Sequence, residues 1–179
     1  FIIDEDIEVL QDFHDEFQAH HTQIEHLIAQ IDTQGGDKDL LGQLFKELDG
    51  IRNSANVSNL SPVAESVETM QNILERVMKG QVNYCRTFPE ATMLVLDQLL
   101  VVAREAANTG QVPFTLFTEI QNALRPMVLA EENSFEESIK KSIQIITGEY
   151  IPAEKIDEGV DLFSDDGVEL FGDDDGIEL

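Results

Sequence analysis

The sequence contains few of the residues that would point to several common classes of protein. Its one cysteine, Cys85, excludes an internal disulfide, and this is typical of a reducing compartment such as the cytoplasm. Five prolines in 179 residues leave room for long uninterrupted helices. No apolar run approaches the roughly 20 residues that a membrane-spanning helix needs. We therefore expect a cytoplasmic protein without a membrane span.

Positive charge is also scarce. The chain has 11 Lys and Arg against 36 Asp and Glu, which gives a net charge of −25. Residues 157–179 hold ten of the acidic residues and no Lys or Arg, so residues 1–156 carry the other −15. Nucleic acids and anionic lipids bind cationic surfaces, so the charge argues against both as partners. A basic protein surface suits this chain better.

Apolar residues recur at helical spacing from residue 7 to about residue 147. The first and longest amphipathic stretch carries Ile7, Leu10, Phe13, Phe17, Ile24, Leu27 and Ile31. Five more helical stretches follow, and no segment alternates polar and apolar residues for long enough to predict a strand. The sequence therefore predicts an all-α, antiparallel helical bundle over residues 1–150 and an acidic tail over residues 151–179.

Several residues mark where helices are expected to begin or break. Asp37 is a suitable N-cap for the second helix, and Ser61, which precedes a proline, for the third. Thr87 and Ser134 open the capping-box patterns T-F-P-E and S-F-E-E of the fourth and last helices. Pro126 is expected to interrupt or kink the fifth helix, because proline lacks a backbone donor.

The segment L-F-K-E-L-D-G-I-R-N-S-A at residues 44–55 resembles the signature helix of histidine-containing phosphotransfer (HPt) domains. That helix follows the pattern F-x-x-x-H-x-I/L-K-G-S/A-S/A. Asp49 stands at the position of the phosphorylated histidine, Arg52 at that of the lysine and Asn53 at that of the glycine. The matching residues are Phe45, Ile51, Ser54 and Ala55.

A second segment, residues 67–80, resembles the third helix of the same family, with the pattern A-H-x-M-E-D-L-L-D-x-L-R-x-G. Here Glu68 replaces a frequent histidine and Gln71 a frequent glutamate. The resemblance covers roughly residues 1–110 and is to the HPt modules of chemotaxis-type kinases. It implies an HPt-type bundle, extended in this chain by another C-terminal helix and the tail.

The resemblance also implies a docking face for a receiver domain or a histidine kinase component. Asp49, Arg52, Asn53 and Asn56 follow i, i+3, i+4 and i+7 spacing and form a polar stripe on one helix face. Without a nucleophilic imidazole, we expect a non-enzymatic adaptor of bacterial two-component or chemotaxis-type signalling that accepts no phosphate. The alternative is a solvated face without a partner, on which Asp49 and Arg52 pair with each other.

The four histidines lie on the first helix, and none stands in an H-x-x-K/R-G context. We expect surface side chains, and the less favoured alternative is a relay protein phosphorylated on one of them; they are His14, His20, His21 and His26. Paired metal-ligand spacings and glycine-rich phosphate loops are missing. The sequence therefore predicts neither a metal nor a cofactor.

The tail repeats the pattern G-V/I-D/E-L-F-x-D-D at residues 159–166 and 167–174, with a shortened copy at residues 176–179. Its predicted anchors for a protein with a basic groove are Leu162, Phe163, Leu170 and Phe171. A solubilising linker is the alternative reading of the same segment. A second functional hypothesis is a structural interaction or dimerisation module, which recruits a partner through the tail and self-associates through Phe135, Ile139, Ile143 and Ile146.

Overall fold

The computed structural model describes residues 5–149, and every regular element in that range is helical. The elements are α1 (Ile7–Gln34), α2 (Lys38–Val57), α3 (Ser61–Met78), α4 (Thr87–Thr109), α5 (Phe114–Leu129), a 3-10 turn (Glu132–Ser134) and α6 (Phe135–Ile146). The predicted fold class, an all-α helical bundle, is confirmed.

The longest helix, α1, packs against both α2 and α4, and α2 packs in turn against α3. The predicted apolar stripe of α1 is buried from Leu10 to Ile31, whereas Ile7 at the start of the helix is 41% exposed. Three residues connect α1 to α2 and three connect α2 to α3. Consecutive helices that pack together across such short connections run antiparallel.

The last two helices complete the core. α5 packs on α3 and α4, while α6 packs on α4 and α5. Phe135 and Ile139 of α6 are fully buried, and Ile143 and Ile146 are partly buried against the same core. The hypothesis of dimerisation through this face is therefore wrong, because the apolar side of α6 is already covered by its own chain.

The beginnings of the helices agree only in part with the predicted caps. Asp37 caps α2, since its Oδ1 accepts hydrogen bonds from the backbone N–H of Asp39 at 2.8 Å and of Leu40 at 3.2 Å. Ser61 and Thr87 make no cap hydrogen bond. Each is the first residue inside its helix, so its hydroxyl lies one position too far along the chain to act as a cap.

Two predictions about the end of the bundle are also wrong, namely a capping box at the start of α6 and an interruption of α5 at Pro126. The hydroxyl of Ser134 accepts from the backbone N–H of Glu131 at 3.1 Å, so the capping box belongs to the 3-10 turn and not to α6. α5 continues through Pro126 to Leu129. The other form of the prediction, a kink at Pro126, stays a prediction from the sequence.

Arg76 of α3 supplies hydrogen bonds at the end of α5. Its Nη1 donates to the carbonyl oxygens of Met127 at 3.3 Å and Val128 at 3.1 Å, and its Nη2 donates to that of Ala130 at 2.5 Å. The last carbonyl groups of a helix have no partner within the helix. A cation beside them also interacts favourably with the partial negative charge at that end of the helix. One side chain thus fixes the end of α5 against α3.

Candidate docking face on α2

Asp49 lies in the second half of α2 with its side chain 39% exposed. Its Oδ1 accepts from Nη2 of Arg52 at 2.5 Å, and its Oδ2 accepts from Nδ2 of Asn53 at 3.4 Å. Residues three and four positions apart share a helix face, which brings these groups together. The pairing of Asp49 with Arg52 considered from the sequence is present, and a partly exposed pair of this kind contributes about 0.2–1 kcal/mol.

Gln71 of α3 approaches Asp49 from inside the bundle. The residue is 2% exposed, and its Nε2 donates to the carbonyl oxygen of Phe45 and to Oδ1 of Asp49, both at 3.3 Å. In the sequence, Gln71 stands out only as a departure from the HPt pattern, and this contact was not predicted. The sequence indicates only that Gln71 is buried, because it lies on the apolar face of α3, four residues after Val67 and three before Leu74.

The outer part of the stripe is open to solvent. Asn53 and Asn56 are exposed, and Arg52 is partly exposed with 31% of its side chain accessible. Val57, which was not among the residues predicted for this face, is 80% exposed at the end of α2. The face therefore combines two amide side chains, a neutralised ion pair and an apolar residue.

The opposite flank of α2 is joined to α1 by polar contacts. Glu16 accepts a hydrogen bond from the hydroxyl of Ser54, and Nδ1 of His20 lies 2.8 Å from Oε1 of Glu47. Gly50 permits this approach, since a Cβ atom there would lie 2.6 Å from Cε1 of His20. α1 thus holds the helix that carries Asp49 from its other side.

The histidines are only partly the surface side chains that we expected. His20 contacts α2, and Nε2 of His21 lies 2.7 Å from Oδ1 of Asp97, which joins α1 to α4. His14 lies beside Asp15 at 3.4 Å, and His26 is exposed. Two of the four therefore connect helices, because each meets a carboxylate from a neighbouring helix.

The thiol of Cys85 and the side chains that could ligate a metal are the other groups considered within the described part of the chain. Burial, above all, raises the pKa of the Cys85 thiol, so the reactive thiolate is disfavoured. Within residues 5–149, no three His, Cys, Asp or Glu side chains are grouped so as to hold a metal ion.

None of the helices in that range has the length and apolar character needed to cross a membrane.

The predicted tail anchors lie outside the described residues. Leu162, Phe163, Leu170 and Phe171 all fall in the segment after residue 149. Their role in recruiting a partner with a basic groove stays a prediction from the sequence.

The fold and the face together define a helical-bundle domain with an exposed polar stripe centred on a carboxylate. No family model matches the chain. Over 148 residues it is 22% identical to the sensor histidine kinase CheAY of Helicobacter pylori, and the match covers 83% of this chain. The same match covers 17% of the kinase, so the chain spans about a sixth of that protein's length.

Proposed function

We propose that this chain is a non-catalytic, HPt-like adaptor of a bacterial two-component or chemotaxis-type phosphorelay. It binds a receiver domain or a histidine kinase component and accepts no phosphate. The observation that carries the proposal is the place of Asp49, which occupies the phosphoacceptor position of the HPt pattern and is partly exposed on α2. The similarity to a sensor histidine kinase supports the signalling context.

The contacts of Asp49 argue against a phosphoacceptor role. A phosphorelay through histidine needs the lone pair of an imidazole nitrogen, and Asp49 offers none. Arg52, at the position of the family's cation, binds the Asp49 carboxylate at 2.5 Å, so its charge is engaged within the helix. An incoming phosphoryl group would have to displace Asp49 from this cation.

The same residues suit binding. The amides of Asn53 and Asn56 each present donors and an acceptor to a partner, and exposed Val57 supplies apolar area beside them. The ion pair of Asp49 and Arg52 makes the centre of the face neutral overall. This combination of a small apolar area with polar surroundings is common in protein interfaces.

The test is the binding of the 179-residue chain to receiver domains from the same organism, measured by calorimetry with phosphotransfer from radiolabelled receivers followed in parallel. Asn53→Arg places a long charged side chain in the middle of the face. Asn108→Arg is the matched control, because Asn108 is exposed near the end of α4 and lies outside the polar stripe of α2. We expect Asn53→Arg to weaken binding about tenfold or more and Asn108→Arg to leave it unchanged.

The outcomes separate the parts of the proposal. Binding without labelling, sensitive to Asn53→Arg alone, supports the adaptor. Equal effects of the two variants would contradict the position of the docking face. Labelling of the unchanged chain would contradict the non-catalytic role and direct attention to the histidines of α1.

A further inference from the structure

A groove of about 350 Å³ lies between α3 and α5. The residues that line it belong to these two helices, whereas the proposed docking face lies on α2. Its volume falls within the range of about 300–1,000 Å³ that is typical of binding pockets. We infer that this groove binds a second partner, a cationic amphipathic helix whose apolar side chains enter it. This interaction goes beyond the proposed function and does not depend on the residue at position 49.

Two large apolar side chains near the end of α5 are exposed at this groove. Val128 is 45% exposed and Leu129 is 71% exposed, and both line the groove together with buried Leu124. Removing apolar surface from water is favourable in proportion to the area that is covered. A partner that covers Val128 and Leu129 therefore gains binding free energy from their burial.

The α3 side of the groove can also accept an apolar partner. The hydroxyl of Ser66 donates to the carbonyl oxygen of Pro62 at 3.0 Å, and that of Thr69 donates to the carbonyl oxygen of Glu65 at 3.0 Å. Both donors are thus used within α3. An apolar side chain can lie against these residues without leaving a hydroxyl proton unsatisfied.

The exposed end of α5 is held in place before any partner arrives. Arg76 donates to the carbonyl oxygens of Val128 at 3.1 Å and Ala130 at 2.5 Å, which are the residues on either side of Leu129. Binding to a surface that is already ordered loses less conformational entropy. Arg76 therefore prepares Leu129 for binding as well as fixing the end of α5.

The length of the groove suits a helix. Its α5 wall extends from Gln121 to Leu129, which corresponds to about 12 Å of helix. Apolar side chains at i, i+3, i+4 and i+7 of a bound helix extend over about 10 Å, and such a row is the usual anchor of a helix in a groove. One apolar row of an amphipathic helix therefore matches this wall.

The charge around the groove indicates a cationic occupant. Among the residues that line it or lie within three positions of a lining residue, Arg125 is the one that is basic. Five are acidic, namely Glu65, Glu68, Glu119, Glu131 and Glu132. The net charge of −25 repels a second copy of the chain, whereas Lys and Arg on a partner are attracted. The occupant is therefore a cationic helix and not a second copy.

The test measures binding of a labelled synthetic peptide to the 179-residue chain by fluorescence anisotropy. The peptide has about 14 residues, or about four helical turns, with Leu at i, i+3, i+4 and i+7 and with Lys and Gln elsewhere. In one comparison peptide alanine replaces each leucine, and in the other glutamate replaces each lysine. We expect saturable binding of the first peptide and at least about tenfold weaker binding of the other two.

Two exposed residues of the same helix provide a matched pair of variants. Leu129→Gln removes an apolar side chain from the groove, and we expect it to weaken binding of the leucine peptide about fivefold to tenfold. Phe114→Gln is the control, because Phe114 is 73% exposed on α5 but does not line the groove, and it should leave binding unchanged. Neither substitution removes a buried side chain, and circular dichroism checks that both variants fold.

A second pair of variants tests the charge and covers a failure of Leu129→Gln to fold. Glu65→Gln removes a carboxylate that lines the groove, and we expect it to weaken binding about twofold to threefold at low salt. Glu8→Gln, at an exposed residue of α1, should leave binding unchanged. Equal effects of these two substitutions would overturn the inference.

The remaining outcomes are equally decisive. No saturable binding, or equal binding of the leucine and alanine peptides, would overturn the inference, and so would equal effects of Leu129→Gln and Phe114→Gln. Self-association of the unchanged chain in sedimentation experiments, if Leu129→Gln abolished it, would make a second copy the occupant and overturn the cationic helix. Asn53→Arg should leave peptide binding unchanged, so a failure of the docking face on α2 is distinguishable from a failure of this groove.

Discussion

Alanine substitutions at the two glycines within α2 should change stability in opposite directions. A Cβ atom at Gly42 would meet no heavy atom within 4 Å, so alanine there adds only its higher helix propensity. We expect Gly42→Ala to raise the free energy of unfolding by about 0.5–1 kcal/mol. At Gly50 the same Cβ atom would lie 2.6 Å from Cε1 and 2.9 Å from Nε2 of His20.

The alanine at position 50 must therefore displace the His20 ring. The 2.8 Å contact between Nδ1 of His20 and Oε1 of Glu47 is then lost. Because the two side chains are 32% and 30% exposed, losing this contact lowers the free energy of unfolding by about 0.5–1 kcal/mol. Adjusting the packing adds about 1–2 kcal/mol. After subtracting the gain in helix propensity, we expect Gly50→Ala to lower the free energy of unfolding by about 0.5–2.5 kcal/mol.

Urea denaturation followed by circular dichroism measures the free energy of unfolding of both variants. Repeating the measurement in a His20→Ala background removes the ring that the Cβ atom at position 50 would meet. In that background, Gly50→Ala should stabilise the chain about as much as Gly42→Ala does. If Gly50→Ala already stabilises the chain to the same extent with His20 present, the close approach of α1 to α2 at this point is refuted.

Two further predictions concern the other end of the bundle. Arg76→Met should lower the free energy of unfolding by about 2–3 kcal/mol, because it leaves the carbonyl groups at the end of α5 without their donor. The control is Lys79→Met, which breaks an exposed ion pair with Glu75 and should lower the free energy of unfolding by less than about 1 kcal/mol. Urea denaturation of both variants would contradict this if the two losses were equal. Burial raises the pKa of Cys85, so its stabilising contribution is present at lower pH and is lost as the pH rises through the raised, folded-state pKa. Alkylation by iodoacetamide at pH 8 should accordingly be slower in the native chain than in urea, and equal rates would contradict the shift.

The helices could be predicted because their signals are local. The apolar period of α1 and the cap at Asp37 both depend on residues within a few positions of each other. Ser61 and Thr87 were misjudged because a cap requires the helix to begin one residue later than it does. The boundaries of a helix vary by one or two residues around such a signal, so the local pattern does not define the first residue.

The candidate site also has a part that could be predicted from the sequence and a part that could not. The stripe from Asp49 to Asn56 follows from helix geometry alone, and so does the pairing with Arg52. The contact with Gln71 depends on how α3 is rotated against α2, and the contact of His20 with Glu47 on how α1 is rotated. Neither rotation is encoded in a short segment, so contacts between residues on different helices could not be predicted from the sequence.

The anchoring of α5 by Arg76 bears on where this domain can be divided. The HPt resemblance fades after residue 110, which would suggest a minimal fragment ending there. Such a fragment would leave the Arg76 guanidinium without the carbonyl groups that it binds after Pro126. It would also uncover the faces of α3 and α4 on which α5 and α6 pack. A fragment that keeps these contacts therefore has to include α6, well beyond the segment in which the family resemblance is visible.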